Sequence, residues 1–140
     1  MPKVAITAYD MISGMTPVVR HGCYVFISAK DSALIESLSS QAISTFKEDE
    51  GLSMLIPVDL AKESGLNVDQ PMSCITLNVY SSLEGVGLTA AVSTALGSNS
   101  IPCNIIAAFH HDHVFVPSEM CERAMEVLTS LQEQATKKQR

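Results

Sequence analysis

The chain has 140 residues, 46% of them hydrophobic, enough for one compact domain or for two small halves sharing a core. Nine basic against fifteen acidic residues give a net charge of −6 and a pI near 5.0, a surface that repels phosphate backbones and anionic lipid and so argues against nucleic acid and membranes as partners. No stretch approaches the ~20 apolar residues of a membrane span, MPKVAITAYDMISGM contains no export signal, and Cys23, Cys74, Cys103 and Cys121 form no CxxC pair, so the expectation is a soluble cytoplasmic protein with reduced, buried thiols.

Taken in chain order, Val4, Ala8, Met11 and Ile12 have the spacing of a short amphipathic helix, followed by a turn over Gly14 to Pro17. A strand is predicted over Cys23 to Ala29, which is dense in β-formers, and a helix over Ser32 to Ser39. Strands Ala42 to Glu48 and Ser53 to Ile56 flank the acidic turn Asp49-Glu50-Gly51, and a short helix from Val58 stops at Gly65. Leu66 to Met72, with Asp69 and Pro71, reads as a linker.

After the linker, Cys74 to Tyr80 alternates Ile75, Leu77 and Val79 with polar residues, as a strand with one covered face does. Leu88, Ala91, Val92, Ala95 and Leu96 then form a buried helical stripe, with Gly97 as the expected stop. Strands Cys103 to Phe109 and His113 to Val116 precede a final helix with Cys121, Ala124, Met125, Leu128 and Leu131 along one side. The polar tail Ala135 to Arg140 is expected to fray.

Both halves thus run strand, helix, strand, strand, helix, with LIPVDLA at 55–61 echoed by FVPSEMC at 115–121. In each echo a proline opens the last helix and an acid follows two residues later, where the helix dipole favours negative charge. Read as a duplication, the chain is an α+β protein of two tandem βαββα units, 1–70 and 71–140, each a ferredoxin-like sheet, mixed or antiparallel, with helices on one face.

The run SSLEGVGLTAAVSTALGSNSIPCNIIAAF (81–109), followed by DHVFVP (112–117), resembles an ACT domain, the small-molecule regulatory module of aspartokinase and other amino-acid enzymes. With YVFIS at 24–28 and ITLNVYSSL at 75–83 it is similar to stand-alone tandem ACT-like proteins related to the CASTOR arginine sensors. The resemblance implies a ligand held between two ACT-like folds, and no catalytic domain.

An amino acid needs amide donors for its carboxylate and acceptors for its ammonium. In Ser81 and Ser82-Leu83-Glu84-Gly85-Val86-Gly87 the glycines let backbone approach a ligand, and free N–H groups at the helix start face a bound anion. Gly85, Val86 and Gly87 are the carboxylate candidates, and Ser81 and Ser82 supply hydroxyls. Asp112, which the resemblance aligns with an aspartate of the related sensors, is the ammonium acceptor, with Asn104 as a weaker one. The same residues have structural readings: turn glycines, helix-opening serines and an aspartate that caps a hairpin.

FHHDHVFVP (109–117) invites a metal reading, but His111 and His113 supply at most two ligands from one face where zinc requires three or four. Cys103 lies seven residues from His110 among apolar neighbours and reads as a structural thiol rather than a nucleophile. The expectation is therefore a non-enzymatic binding or sensing protein without cofactor or metal, working as a homodimer or other homo-oligomer. The alternative is an ACT-like assembly module with a degenerate pocket.

Overall fold

A computed structural model describes residues 12–79 and 87–138. Its strands are β1 (Thr16–Val19), β2 (Tyr24–Ala29), β3 (Ser44–Glu48), β4 (Gly51–Pro57), β5 (Met72–Asn78), β6 (Asn104–Ala107) and β7 (Asp112–Pro117). The helices are α1 (Ser32–Ser39), α2 (Val58–Glu63), α3 (Leu88–Ser98) and α4 (Cys121–Lys138), the last preceded by a 3-10 turn at Ser118–Met120. Backbone contacts divide the chain into two compact units, His21–Met72 and Met1–Arg20 with Ser73–Arg140. Thr16–Val19, expected in the first half, is grouped with the later unit.

In the His21–Met72 unit the strand order is β3-β4-β2, and both ladders are antiparallel. Val25 pairs with Ile56, Ile27 with Met54 and Ala29 with Leu52, so these residues share one face. That face packs against Leu34, Ile35 and Leu38 of α1 and against Val58, Leu60 and Ala61 of α2. Asp31 caps α1, its carboxylate accepting from the Leu34 N–H at 3.0 Å. Leu66 and Val68, expected in a linker, pack against this core as well.

The later unit has β5, β7 and β6 as successive neighbours, with β1 antiparallel to β5 on its other side. Residues 14–17 had the composition of a turn, but Thr16 pairs with Asn78 and Val19 with Ile75. Gly14 is a turn residue, and the chain is extended from Thr16 onward. Pro17 is tolerated there because β1 is an edge strand, where one side of the backbone needs no ladder partner. Ile75, Leu77, Val114 and Val116 pack under Val92 and Leu96 of α3 and Ala124 and Leu128 of α4.

Helices α2 and α3 end in the same motif, with different residues at its left-handed position. After α2, Gly65 (φ +73°) donates to Lys62 O and Leu66 to Ala61 O. After α3, Ser100 (φ +58°) donates to Gly97 O and the buried Ile101 to Leu96 O. Both patterns satisfy the last carbonyls of the helix through a 6→1 and a 5→2 bond. Gly97, expected to stop α3, lies inside it. The polar tail also departs from expectation: α4 continues to Lys138, Ala135 is buried, and Gln132 donates from Nε2 to Ser13 O at 2.7 Å.

None of the four cysteines is in a disulfide, but only Cys74 is buried; Cys103 and Cys121 are half-buried and Cys23 is exposed. Among the described residues no helix is long and apolar enough to cross a membrane.

Candidate functional site

Ser81, Ser82, Leu83, Glu84, Gly85 and Val86 lie outside the described residues, which leaves Gly87, Asn104 and Asp112 of the predicted set to be placed. Gly87 is the N-cap of α3, with φ +109° and ψ −24°, a conformation L side chains rarely adopt. Its carbonyl accepts from the Ala91 N–H at 2.9 Å, which begins the helical ladder. The amides of the first turn point back past Gly87 without an intrahelical partner. Glycine offers no side chain to occupy them, and the first turn carries no acid.

Asp112 is the first residue of β7, opposite Ala107, and is half-buried. Thr76 Oγ1 lies 2.9 Å from His113 Nδ1. Since Thr76 is two residues before the end of β5 and His113 is one after the start of β7, the start of β7 and the end of β5 share one end of the sheet. The chain leaves β5 there on its way to Gly87. Asp112 and the end of β5 are thus brought to the same sheet end.

Asn104 is not. It pairs with Phe115, three positions along the strand from the Ala107–Asp112 pair, or ~10 Å at the rise of a β-strand. Side chains also alternate between faces. Asp112 shares the helix-side face with Val114, whereas Asn104 shares the opposite face with Phe115 and is exposed. β-strand periodicity could have revealed this, had the register across the β6–β7 hairpin been known.

The face turned away from α3 and α4 carries a second polar group of residues. Cys74, Thr76, His113 and Phe115 belong to it by strand parity, and Val18 joins them opposite Thr76. The Arg20 N–H donates to Cys74 O at 2.8 Å, continuing the β1–β5 register by one residue and placing Arg20 on the same face as Val18. Burial, and then the neighbouring charges of His111 and Arg20, push His113 below its ordinary value of 6.5, with a smaller opposing pull from Asp112. Burial raises the Cys74 thiol, only partly offset by its hydrogen bond with Thr76 and by Arg20.

Cys103 also titrates above its ordinary range because it is desolvated. It packs against the core of the later unit and is no activated nucleophile. Among the described residues no cluster of three or more His, Cys, Asp or Glu could hold a metal ion. A shallow groove of about 290 Å³ between α3 and α4 is lined by Ala95, Asn99, Val127 and Leu131, among others. Ala95 is eight residues into the helix from Gly87, or ~12 Å along its axis, so the groove is separate from Gly87.

Two split βαβ units with helices on one face of each sheet define the ferredoxin-like α+β class. ACT-domain family models match in tandem over residues 9–73 and 70–130. No curated protein matches the chain. Among solved structures, the chain is 36% identical to a Vibrio cholerae protein of unknown function described as a possible transport protein, covering 87% of this chain and 93% of that one at a TM-score of 0.77. The regulatory subunit of aspartate kinase from Thermus flavus is 14% identical, with 84% of this chain and 96% of that one covered at a TM-score of 0.52. A whole aspartate kinase from Clostridium acetobutylicum is 13% identical; 84% of this chain covers 34% of that one, at a TM-score of 0.60. The last two show a shared fold. The chain belongs to the ACT-domain family, whose members are regulatory modules.

Proposed function

We propose that the protein is a non-catalytic sensor that binds a small molecule, an amino acid, where α3 opens in the later unit, and that it works as a homo-oligomer. The observation that carries this reading is the opening of α3 at a left-handed glycine that supplies no side-chain cap, in the unit whose strand β7 begins with Asp112. The first-turn amides suit a carboxylate, since the N–H groups and the helix dipole both favour negative charge. Asp112 supplies the complementary charge for an ammonium. Gly85, Val86 and the flanking Ser81 to Glu84 complete the proposed binding loop.

A thermal-shift screen of the twenty amino acids tests this. The cognate one, at a hundredfold excess over its dissociation constant, stabilises the protein by about 2.7 kcal/mol. Absence of any response at millimolar concentration removes the proposal.

A second reading, an assembly module with a degenerate pocket, draws on the exposed aromatics of the His21–Met72 unit. Phe46 on the edge strand β3 is 72% exposed and Phe26 on β2 is 48% exposed, and strand parity places both on the face away from the helices. Unpaired edges and exposed apolar residues promote association. Light scattering of Phe46→Glu decides: a mass unchanged from the wild type, or a wild-type monomer, excludes this face as an assembly surface.

A further inference from the structure

The geometry points to a small-carboxylate site on the helix-averted face of the later unit, formed by Arg20, Thr76 and His113. It is separate from the proposed amino-acid site at the opening of α3 and rests on different residues.

Three strands contribute. Arg20 follows β1 and is fixed beside Cys74 by its backbone bond to Cys74 O at 2.8 Å. Thr76 stands in the middle of β5, and its hydroxyl meets His113 Nδ1 of β7 at 2.9 Å. A guanidinium, a hydroxyl and an imidazole on one face make a set of donors suited to a carboxylate, with the guanidinium presenting a planar fork. The charged and titratable groups acting on His113 are Arg20 from the β1 side, Asp112 from its own strand and His111 just before that strand, while Cys74 on β5 is a neutral, buried thiol. The opposing residue on β6 is Ile106, which does not titrate.

The Thr76–His113 bond gives the site a proton dependence. When His113 takes up a proton, both ring nitrogens become donors. Nδ1–H then donates to Thr76 Oγ1, and Nε2–H⁺ becomes a second charged donor on the face that carries Arg20. Without an anion this protonated form is disfavoured by burial and by Arg20. A carboxylate between Arg20 and His113 removes that penalty, so binding the anion takes up a proton.

The test uses the full-length protein and sodium acetate, with inorganic phosphate as a second probe, followed by the His113 ring resonances in NMR. Acetate is expected to shift them saturably and to raise the pH at which they titrate, and its affinity is expected to rise up to about tenfold per pH unit as the pH falls through the titration range of His113. Arg20→Gln and His113→Gln should each weaken acetate at least about tenfold, the loss of a charge-assisted bond, while leaving the amino-acid response of the Gly87 site unchanged. No saturable shift with acetate, or acetate binding that is equally tight in Arg20→Gln, overturns the site. A shift with phosphate and none with acetate overturns the carboxylate assignment. Loss of the amino-acid response with retained acetate binding breaks the Gly87 reading and leaves this one standing.

Discussion

In the His21–Met72 unit the helix that follows the first strand opens on Asp31, whose carboxylate accepts from the Leu34 amide; in the later unit the corresponding helix opens on Gly87, which has nothing to offer. The outward faces diverge in the same way. Phe26 stands exposed on β2, while Thr76 on β5 is bonded to His113. A shared plan of strands, helices and C-terminal caps therefore does not fix the residue that opens a helix or the polarity of the outer sheet face. One unit caps this helix with an aspartate side chain, and the other opens it on a residue that has none.

The comparison breaks most visibly in the cores. Leu38→Ala in one unit and Leu96→Ala in the other, both fully buried, should each cost about 3 kcal/mol. Urea unfolding followed by probes in each unit shows whether the two losses fall on one transition or on two. Next come the helix openings. Asp31→Ala should cost about 1 kcal/mol through loss of the cap bond. Gly87→Ala should cost a similar ~1 kcal/mol through the left-handed backbone, and it should weaken the amino-acid response, which Asp31→Ala leaves intact. Equal effects of both on ligand binding would erase the distinction between the units.

The helix ends sharpen it further. Ser100→Gly should stabilise the later unit by up to about 1 kcal/mol, and Gly65→Ser should destabilise the earlier one by a similar amount, both read from denaturation midpoints. Smallest is the pH effect. Because His113 titrates below 6.5 in the folded chain, the unfolded chain binds the proton first as the pH drops. Stability is therefore undiminished above 6.5, falls as the pH drops below it, and levels off under the folded-state titration point. His113→Asn should flatten that part of the stability profile, and an unchanged slope would assign it to other groups.

Much of the fold was legible because the core writes itself as period. Ile75 and Leu77 alternate into one face, and Leu88, Val92 and Leu96 recur along one side of α3; all five are buried. The DHVFVP signature coincides with β7, the strand whose Val114 and Val116 are buried under the helices. What failed was short or non-local. Thr16–Val19 is too brief to show alternation, and its partner on β5 is some sixty residues away in sequence, so neither β1 nor the position of Arg20 beside Cys74 could be read. Ser100 adopts a conformation usually left to glycine, which hid the true end of α3 behind Gly97. Asn104 was misplaced because composition carries no information about strand register.

The β1–β5 pairing has a consequence for biosynthesis. Thr16–Val19 leaves the ribosome before any of the His21–Met72 unit, yet its partner Ile75–Asn78 comes only after that unit is finished. The segment made first is therefore used late, and the inserted unit has time to fold while an unpaired strand waits beside it. Deleting the leading residues should accordingly injure the distal unit and spare the adjacent one, the reverse of what position along the polypeptide suggests.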